Sequence, residues 1–134
     1  MVAPPRPADE PSRLAALHEL LLLDTEPEAA TDHLVALARS ISGRETALIS
    51  LIDENRQWFK ARVGLEACET GRDVSFCGWA ILQPEAPLDI PDTHRDARFR
   101  DNPLVTGPPR IRSYTGFPLV TPRGHAIGTL CVFD

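Results

Sequence analysis

The sequence contains few of the residues on which several classes of function depend. Lysine occurs once, at Lys60, and the net charge of the 134-residue chain is −5. No cluster of basic side chains stands out, so we expect no nucleic-acid partner, because binding to a polyanion needs a positively charged surface. The longest apolar run, within Glu19–Leu23, holds four leucines. Crossing a membrane takes roughly 18 apolar residues, so we expect no membrane partner.

Cysteine and histidine are also scarce. The three cysteines, Cys68, Cys77 and Cys131, show no CxxC spacing, and the four histidines are scattered singly. Zinc requires clustered Cys and His ligands, so we expect no metal site. The odd number of cysteines and the lack of an apolar signal segment argue against a disulfide framework and secretion. We therefore predict a cytoplasmic protein.

Length and composition predict one domain with one core. The chain is 43% hydrophobic and 25% charged, which is ordinary for a globular protein. Proline-rich residues 1–11 are predicted to be a flexible N-terminal lead-in, and residues 12–134 the domain. A first helix is expected to start near Asp9, with Pro11 in its first turn.

Two amphipathic helices are predicted at the start of the domain. The first carries a leucine stripe that packs either on its own domain or on a second subunit. The second is predicted over about Glu26–Ile41, because Thr25 and Glu28 have capping-box spacing and Gly43 can end a helix. The leucine stripe consists of Leu14, Leu17, Leu20 and Leu21. The apolar face of the second helix is predicted to consist of Ala30, Leu34, Leu37, Ala38 and Ile41.

Apolar and alternating runs predict two β-hairpins and one short strand. The first run is apolar on nearly both sides, which is typical of a central strand. The second alternates, and Phe59, Ala61 and Val63 are predicted to share one side. The predicted strands are Thr46–Asp53, Gln57–Val63, Leu88–Ile90, Ile111–Val120 and Ala126–Asp134.

The segments between the strands carry the residues that could contact a ligand. Gly64–Val74 is predicted to be a polar loop in which Cys68 is incidental. Ser75–Leu82 is predicted to be a helix with Cys77 in its first turn and Ser75 as the N-cap. Asp92–Pro109 is a long irregular segment with a short helix starting at Asn102–Pro103. Irregular segments of this length in small domains are usually functional.

Five spaced blocks of the sequence resemble the GAF domains of bacterial sensor histidine kinases and GGDEF diguanylate cyclases. The blocks are LLLDTEPE, ALISLIDENRQWFKARVGL, RDVSFCGWAIL, IPDTHRDARFRDNPLVTGPP and GFPLVTPRGHAIGTLCVFD. The resemblance implies an α+β fold with a central antiparallel β-sheet. Helices would pack on one face of this sheet, and a ligand-type pocket, roofed by Ser75–Leu82 and Asp92–Pro109, would lie on the other.

The resemblance also has implications for assembly. It implies a homodimer formed through the N-terminal helix and an output kinase or cyclase domain in the parent protein. GAF domains normally continue from the last strand into a connecting helix, which is lacking here, so the chain resembles an excised piece of a sensor. We therefore expect a sensory or regulatory module that binds a small-molecule ligand or relays a conformational signal. The sequence does not specify the ligand or any cofactor.

No catalytic constellation emerges, so a non-enzymatic role is predicted, with no catalytic residues. Cys77 is interpreted first as a small buried hydrophobe and second as a reactive thiol. The candidate ligand-binding residues are Cys77, Trp79, Asp92, Arg98, Phe99, Tyr114 and Phe117.

Two alternative functions remain open. The Cys77–Gly78 pair resembles one in free methionine-R-sulfoxide reductases, which would make the chain a thiol-dependent enzyme. That chemistry needs a further cysteine in the segment Asp92–Pro109, which has none. A bilin-type chromophore-binding photosensory module is the other alternative. Bilin-binding relatives commonly carry histidine directly after the cysteine, where Gly78 stands here. GAF domains of the subtype that this sequence resembles often carry histidine one position further on, where Trp79 stands here.

Overall fold

A six-stranded antiparallel β-sheet forms the centre of the structure, a computed structural model that describes residues 1–134. The strands are β1 (Thr46–Ile52), β2 (Arg56–Val63), β3 (Glu69–Gly71), β4 (Leu88–Ile90), β5 (Tyr114–Val120) and β6 (Ala126–Phe133). They lie in the order β3-β2-β1-β6-β5-β4, and all neighbours are antiparallel. The predicted α+β fold with a central antiparallel sheet is confirmed.

Four helices flank the sheet. They are α1 (Glu10–Glu19), α2 (Ala29–Ser42), α3 (Cys77–Ala80) and α4 (Pro103–Thr106), with single 3-10 turns at Arg72–Val74 and Thr93–Arg95. The two long helices, α1 and α2, pack on one side, which we call the back face. The two short helices belong to the other side, the front face. None of the helices combines the length and apolar character needed to cross a membrane.

The two faces of the sheet bury separate hydrophobic clusters. The largest cluster lies on the front face and holds 14 buried residues, including Leu48 of β1, Phe59 of β2 and Cys131 of β6. On the back face, Val35 of α2 and Leu17 of α1 anchor two smaller clusters. All seven residues of β1 are buried, as the prediction of a central strand requires.

A register shift in β2 overturns one predicted face. The β1–β2 pairing shifts between Ile49 and Ser50, so that Ser50 pairs with Phe59 whereas Ile49 pairs with Ala61. The shift moves Ala61 to the back face, against Val35, while Phe59 stays on the front. Simple alternation places them together, and it fails because a bulge adds one residue to one strand.

The predicted apolar face of α2 is wrong for its three largest residues, although Ala38 packs against the Val35 cluster. Of the α2 residues only Val35 is buried. Leu34, Leu37 and Ile41 are 50%, 56% and 77% exposed. They line a back-face groove beside β5 and β6 instead of packing beneath the helix.

The start of α2 differs from the prediction as well. The helix begins at Ala29, and the capping box does not form. The hydroxyl of Thr25 donates to the carbonyl of Leu22 at 2.6 Å and accepts from the ammonium of Lys60 at 2.7 Å. Thr25 therefore ties the connector between α1 and α2 to β2, a tertiary contact that local spacing does not reveal.

The segments that lead to the site are partly as predicted. The predicted loop Gly64–Val74 contains β3 and a 3-10 turn, both of which are only three residues long. The helix predicted over Ser75–Leu82 is a single turn, α3, although the hydroxyl of Ser75 does accept from the amide of Gly78 at 3.1 Å. The short helix after Asn102 is confirmed as α4.

The segment before α1, predicted to belong to a flexible lead-in, is mostly exposed but contacts the front of the domain at Met1 and Pro4. The terminal ammonium of Met1 lies 2.6 Å from a carboxylate oxygen of Asp101. Pro4 lies so close to Gly78 that a Cβ there would come within 2.7 Å of the proline ring. Glycine at position 78 therefore allows the N-terminal segment to pass over α3.

Candidate ligand-binding site

An apolar cavity of about 270 Å³ lies on the front face of the sheet. Eleven of its 16 lining residues are hydrophobic. Leu48, Phe59 and Phe133 contribute from the central strands, and Phe76 and Leu104 from the covering segments. None of the 16 residues is lysine, arginine or histidine, and the single carboxylate is that of Glu66. The interior is therefore suited to an uncharged, largely apolar molecule.

The mouth of the cavity lies between two loops. Glu66 and Ala67 approach from the connection between β2 and β3, and Pro108 and Pro109 from the connection that follows α4. These four residues line the cavity and are exposed to solvent, whereas the floor residues of the sheet are buried. A small molecule can therefore enter from this side. The segment Asp92–Pro109 was predicted to cover the pocket. Only its last third, residues 104–109, contributes side chains to the lining.

Tyr114 closes one wall of the cavity because a glycine lies next to it. The tyrosine is 1% exposed, and its ring lies over Gly116 in the same strand. A Cβ at position 116 would overlap the tyrosine hydroxyl and lie 2.7 Å from Cζ. Gly116 thus lets the hydroxyl reach the sulfur of Cys77, 3.1 Å away.

Cys77 lies at the centre of a buried polar cluster. Its sulfur accepts from the hydroxyl of Thr129 at 3.1 Å and lies 3.9 Å from the sulfur of Cys131. Burial raises the pKa of the Cys77 thiol, but hydrogen bonds from Cys131, Thr129 and Tyr114 outweigh burial and lower it to about 7. The pKa of the Cys131 thiol is raised, because its hydrogen bond to Cys77, burial and the Cys77 charge all oppose ionisation.

A second polar chain crosses the floor of the sheet. Ser50 donates to the side-chain carbonyl of Gln57 at 2.9 Å, and the Gln57 amide donates to the hydroxyl of Thr70 at 3.0 Å. Ser50, Gln57, Thr129 and Cys131 were not among the predicted ligand-binding residues. One feature of the sequence could have identified such residues. It is a polar or small residue between apolar ones on the cavity side of a strand, as Ser50 is between Leu48 and Ile52.

Of the predicted ligand-binding residues, Cys77 and Tyr114 line the cavity. Phe99 is fully buried in the core next to it and stacks on Phe76 with ring centroids 4.2 Å apart. Trp79 and Arg98 lie outside, along a separate recess of about 230 Å³. There the guanidinium carbon of Arg98 is 5.3 Å from the indole centroid, and its nitrogen is 2.8 Å from Asp96.

The two remaining candidates lie elsewhere. Asp92 caps the 3-10 turn Thr93–Arg95, where its carboxylate accepts from the amide of His94 at 3.0 Å. Phe117 is 49% exposed and belongs to the back-face groove. Tyr114 faces the front of β5, and residue 117, three positions on, therefore projects to the opposite side. The seven candidates thus divide among the cavity, the adjoining core, the recess, a turn and the back face.

The arrangement offers binding surface but no metal site. No group of three or more His, Cys, Asp or Glu side chains lies close enough to hold a metal ion. The nucleophile with a lowered pKa, Cys77, has hydroxyl and thiol neighbours and no imidazole or carboxylate partner. The geometry therefore lacks the oriented base of a nucleophilic triad.

An antiparallel sheet with helices behind it and a roofed apolar cavity in front defines a class of α+β domain built around a small internal pocket. Residues 26–134 match the GAF domain family, and the chain belongs to this family. The predicted resemblance is thereby confirmed.

One relative of the chain is a bacterial signalling enzyme. A cyclic di-GMP phosphodiesterase of Pseudomonas aeruginosa is 45% identical over 134 residues, which are 100% of this chain and 23% of that protein. The chain therefore spans less than a quarter of the length of this relative.

Solved structures share the fold at low sequence identity. The GAF domain of an Acinetobacter phosphoenolpyruvate-protein phosphotransferase matches with a TM-score of 0.62 and 18% identity, over 92% of this chain and 75% of that one. A type II free methionine-R-sulfoxide reductase from Thermoplasma acidophilum matches with a TM-score of 0.62 and 14% identity, over 88% and 77%. At these identities, the similarity defines the fold alone.

Proposed function

We propose that the chain is a non-enzymatic regulatory GAF domain that binds a small, largely apolar molecule in the front cavity. The observation that carries the proposal is the lining, in which 11 of 16 residues are hydrophobic and none is basic. Apolar pockets with a few polar groups are the usual form of small-molecule sites. Here Gln57 and Thr70 supply hydrogen-bonding groups at the wall.

The lining disfavours a phosphorylated ligand. A cyclic dinucleotide carries two phosphates, which proteins usually bind with arginine, lysine or backbone amides at helix starts. The cavity has no such cation, and its carboxylate at Glu66 would repel the phosphates. The substrate named for the Pseudomonas relative is therefore a poor ligand for this cavity. We propose that this domain regulates an output domain. The similarity to the Pseudomonas protein favours a cyclic di-GMP phosphodiesterase as that output domain over a kinase or a cyclase.

Apolar probes test the binding proposal on the 134-residue chain. Naphthalene and indole, each present above its dissociation constant, are expected to raise the melting temperature, because a ligand that binds only the native state stabilises it. Leu104→Trp, which places a larger side chain at the cavity wall, should abolish the shift. Leu37→Trp, on the exposed side of α2, is the matched control and should retain it.

The results that contradict the proposal are specific. An unmutated chain that no apolar probe stabilises, or an equal shift in the Leu104→Trp chain, would remove the ligand-binding role. Cyclic di-GMP is the anionic comparison. A larger shift with cyclic di-GMP than with the apolar probes would overturn the proposed ligand class.

A second part of the proposal is a homodimer formed through α1. Leu20 and Leu21, which directly follow this helix, are 46% and 81% exposed. Leu21 also has a φ of 53°, a left-handed conformation that leucine rarely adopts. Leu21→Glu is expected to convert a dimer to a monomer in light scattering at 100 μM, and the exposed Val2→Glu should not. A monomeric unmutated chain at the same concentration would contradict this part.

A further inference from the structure

Two buried cysteines meet at the wall of the front cavity. Cys77 begins α3 and Cys131 lies in β6, and both line the cavity. They are 2% and 1% exposed, and their sulfur atoms lie 3.9 Å apart. The third cysteine, Cys68, is exposed on a loop. Of the three cysteines, only Cys77 and Cys131 are therefore shielded from bulk solvent and accessible to a molecule inside the cavity.

The surroundings of Cys77 stabilise its thiolate. The Thr129 hydroxyl donates to the sulfur, the Tyr114 hydroxyl lies 3.1 Å from it, and the Cys131 thiol lies on the same side of the sheet. Hydrogen bonds to the charged form favour that form. The thiolate is the nucleophilic state of cysteine. Cys77 is thus the member of the pair that reacts first.

We propose that Cys77 and Cys131 form a redox pair, which an organic hydroperoxide entering the cavity oxidises to a disulfide. The proposal uses the cavity of the proposed function but needs no resident ligand. The apolar lining favours an alkyl or aryl hydroperoxide over hydrogen peroxide, because the organic group gains apolar contacts on entry.

The reaction balances in two steps. The Cys77 thiolate attacks the terminal oxygen of the hydroperoxide, the O–O bond breaks, and the alcohol leaves after taking up a proton, so that Cys77 becomes a sulfenic acid. The Cys131 sulfur then attacks the Cys77 sulfur and loses its own proton. The S–O bond breaks, and the hydroxyl group leaves as water. Overall, two thiols and one hydroperoxide give one disulfide, one alcohol and one water.

The change at Cys77 prepares Cys131 for the second step. The negative charge on Cys77 is one of the causes that raise the pKa of the Cys131 thiol. Conversion of the thiolate to a neutral sulfenic acid removes that charge. The sulfur atoms must then approach from 3.9 Å to about 2.05 Å. The single-turn helix α3 carries Cys77, whereas Cys131 is in a strand paired on both sides, so we expect α3 to move.

The test uses the chain with Cys68→Ser, which removes the exposed thiol. Equimolar cumene hydroperoxide should lower the intact mass by about 2 Da and reduce the free thiols from two per chain to none. Peptide mapping should identify the Cys77–Cys131 link, and dithiothreitol should reverse it. This result needs no further variant, so it does not depend on whether core substitutions fold.

Variants assign the two roles. In the Cys68→Ser background, Cys131→Ser should stop the reaction at a sulfenic acid that dimedone traps, and Cys77→Ser should give no dimedone adduct. Thr129→Val, which removes one donor to the thiolate, should slow oxidation at pH 7 about fivefold if it raises the thiol pKa by one unit from about 7, because the thiolate fraction falls from about a half to about a tenth. Thr129→Ser keeps the hydroxyl and should react at the original rate.

Two outcomes would overturn the proposal. They are retention of both thiols after excess cumene hydroperoxide, and faster oxidation by hydrogen peroxide than by cumene hydroperoxide. The readout is separate from the melting shift with naphthalene and indole. If the chain forms the disulfide but no apolar probe stabilises it, the redox pair is supported and the ligand-binding proposal fails. If the probes stabilise the chain but no disulfide forms, the ligand-binding proposal is supported and the redox pair fails.

Discussion

At the scale of single residues, close approaches between backbone segments depend on glycine. Gly128 lies in β6, where it pairs with Leu51 of β1 and Leu119 of β5. A Cβ at this position would overlap the carbonyl oxygen of Ser50 and lie 2.9 Å from the Cα of Leu51. The neighbouring atoms belong to the central strand and cannot rotate away. Because glycine carries only a hydrogen at this position, β1 and β6 can approach closely enough to pair here.

Gly128→Ala is expected to destabilise the fold severely. Overpacking costs about 1–3 kcal/mol in most cores and more where backbone must move, so we expect about 3 kcal/mol or more. Urea unfolding followed by circular dichroism measures the loss. Gly71→Ala is the matched control, because a Cβ at Gly71 has nothing within 4 Å. Equal stability of the two variants would contradict this account.

The candidate site was only partly readable residue by residue. Cys77 and Tyr114 were predicted as ligand-binding residues, and both line the cavity. Arg98 and Trp79 were also predicted as ligand-binding residues. The guanidinium of Arg98 instead pairs with the carboxylate of Asp96 and lies over the indole ring of Trp79. Cys131 is 54 residues from Cys77 in the chain, so no local spacing connects the two sulfurs.

At the scale of elements, α4 is held over the cavity by its cap. Asn102 is 2% exposed, and its side-chain carbonyl accepts from the amide of Leu104 at 2.8 Å. Its amide group also donates to the carbonyl of Val74 at 3.1 Å. One side chain therefore starts α4 and joins it to the segment before α3, and both segments line the cavity.

Asn102→Ala is expected to loosen this roof. The loss of an N-cap costs about 1 kcal/mol, and the loss of the hydrogen bond to the partly buried carbonyl of Val74 adds about 1 kcal/mol. Hydrogen exchange should show the amides of Val105 and Thr106 exchanging faster, while those of β1 keep their relative protection. Asn55→Ala, on the exposed turn between β1 and β2, is the control. Unchanged exchange in α4 would contradict the capping role.

The sequence predicted which segments form helices and strands better than it predicted which side of each element is buried. Five of the six strands follow from apolar runs and α4 from an Asn-Pro signal, whereas the polar strand β3 was predicted as part of a loop. The exposed apolar side of α2 did not follow, because Leu34 and Leu37 have the periodicity of a buried stripe. Helical periodicity says which residues share a side, but not which neighbour that side meets.

At the scale of the whole molecule, a buried ion network joins α1 to the sheet. Arg13 is fully buried and donates to the carbonyl of Ile52 at 2.8 Å. Glu10 pairs with both Arg13 and Arg72, and the Arg72 pair spans 62 residues at 2.8 Å. Loss of the carboxylate would leave two buried guanidinium groups without their anionic partner.

Glu10→Gln is expected to lower the free energy of unfolding at neutral pH. It should also make this free energy fall less steeply as the pH is lowered. Burial raises the pKa of Glu10, but hydrogen bonds from Arg72 and Arg13 outweigh it and lower the pKa from 4.5 to about 2. The ionised carboxylate therefore stabilises the fold fully above pH 4.5, and this contribution is lost as the pH falls towards 2. Removing one partner of a buried pair costs about 3 kcal/mol at pH 7.

Urea unfolding at pH 7, 4 and 3 checks this prediction. The difference between the unmutated and Glu10→Gln chains should shrink steadily as the pH falls. The exposed Glu19→Gln is the control and should track the unmutated chain at each pH. A difference of equal size at pH 7 and pH 3 would exclude Glu10 as the source of the acid sensitivity.

The sequence by itself determined the family, through five blocks that resemble GAF domains. It also determined the order of most elements and the central position of β1, because these depend on local apolar runs. Tertiary structure decided which of the selected residues meet. The bulge in β2 separated Phe59 from Ala61, and the pairing of β1, β6 and β5 brought Cys131 and Tyr114 to Cys77. Register and packing between distant segments have no signature in one local stretch of sequence, so the cavity and its thiol pair emerge only in the folded chain.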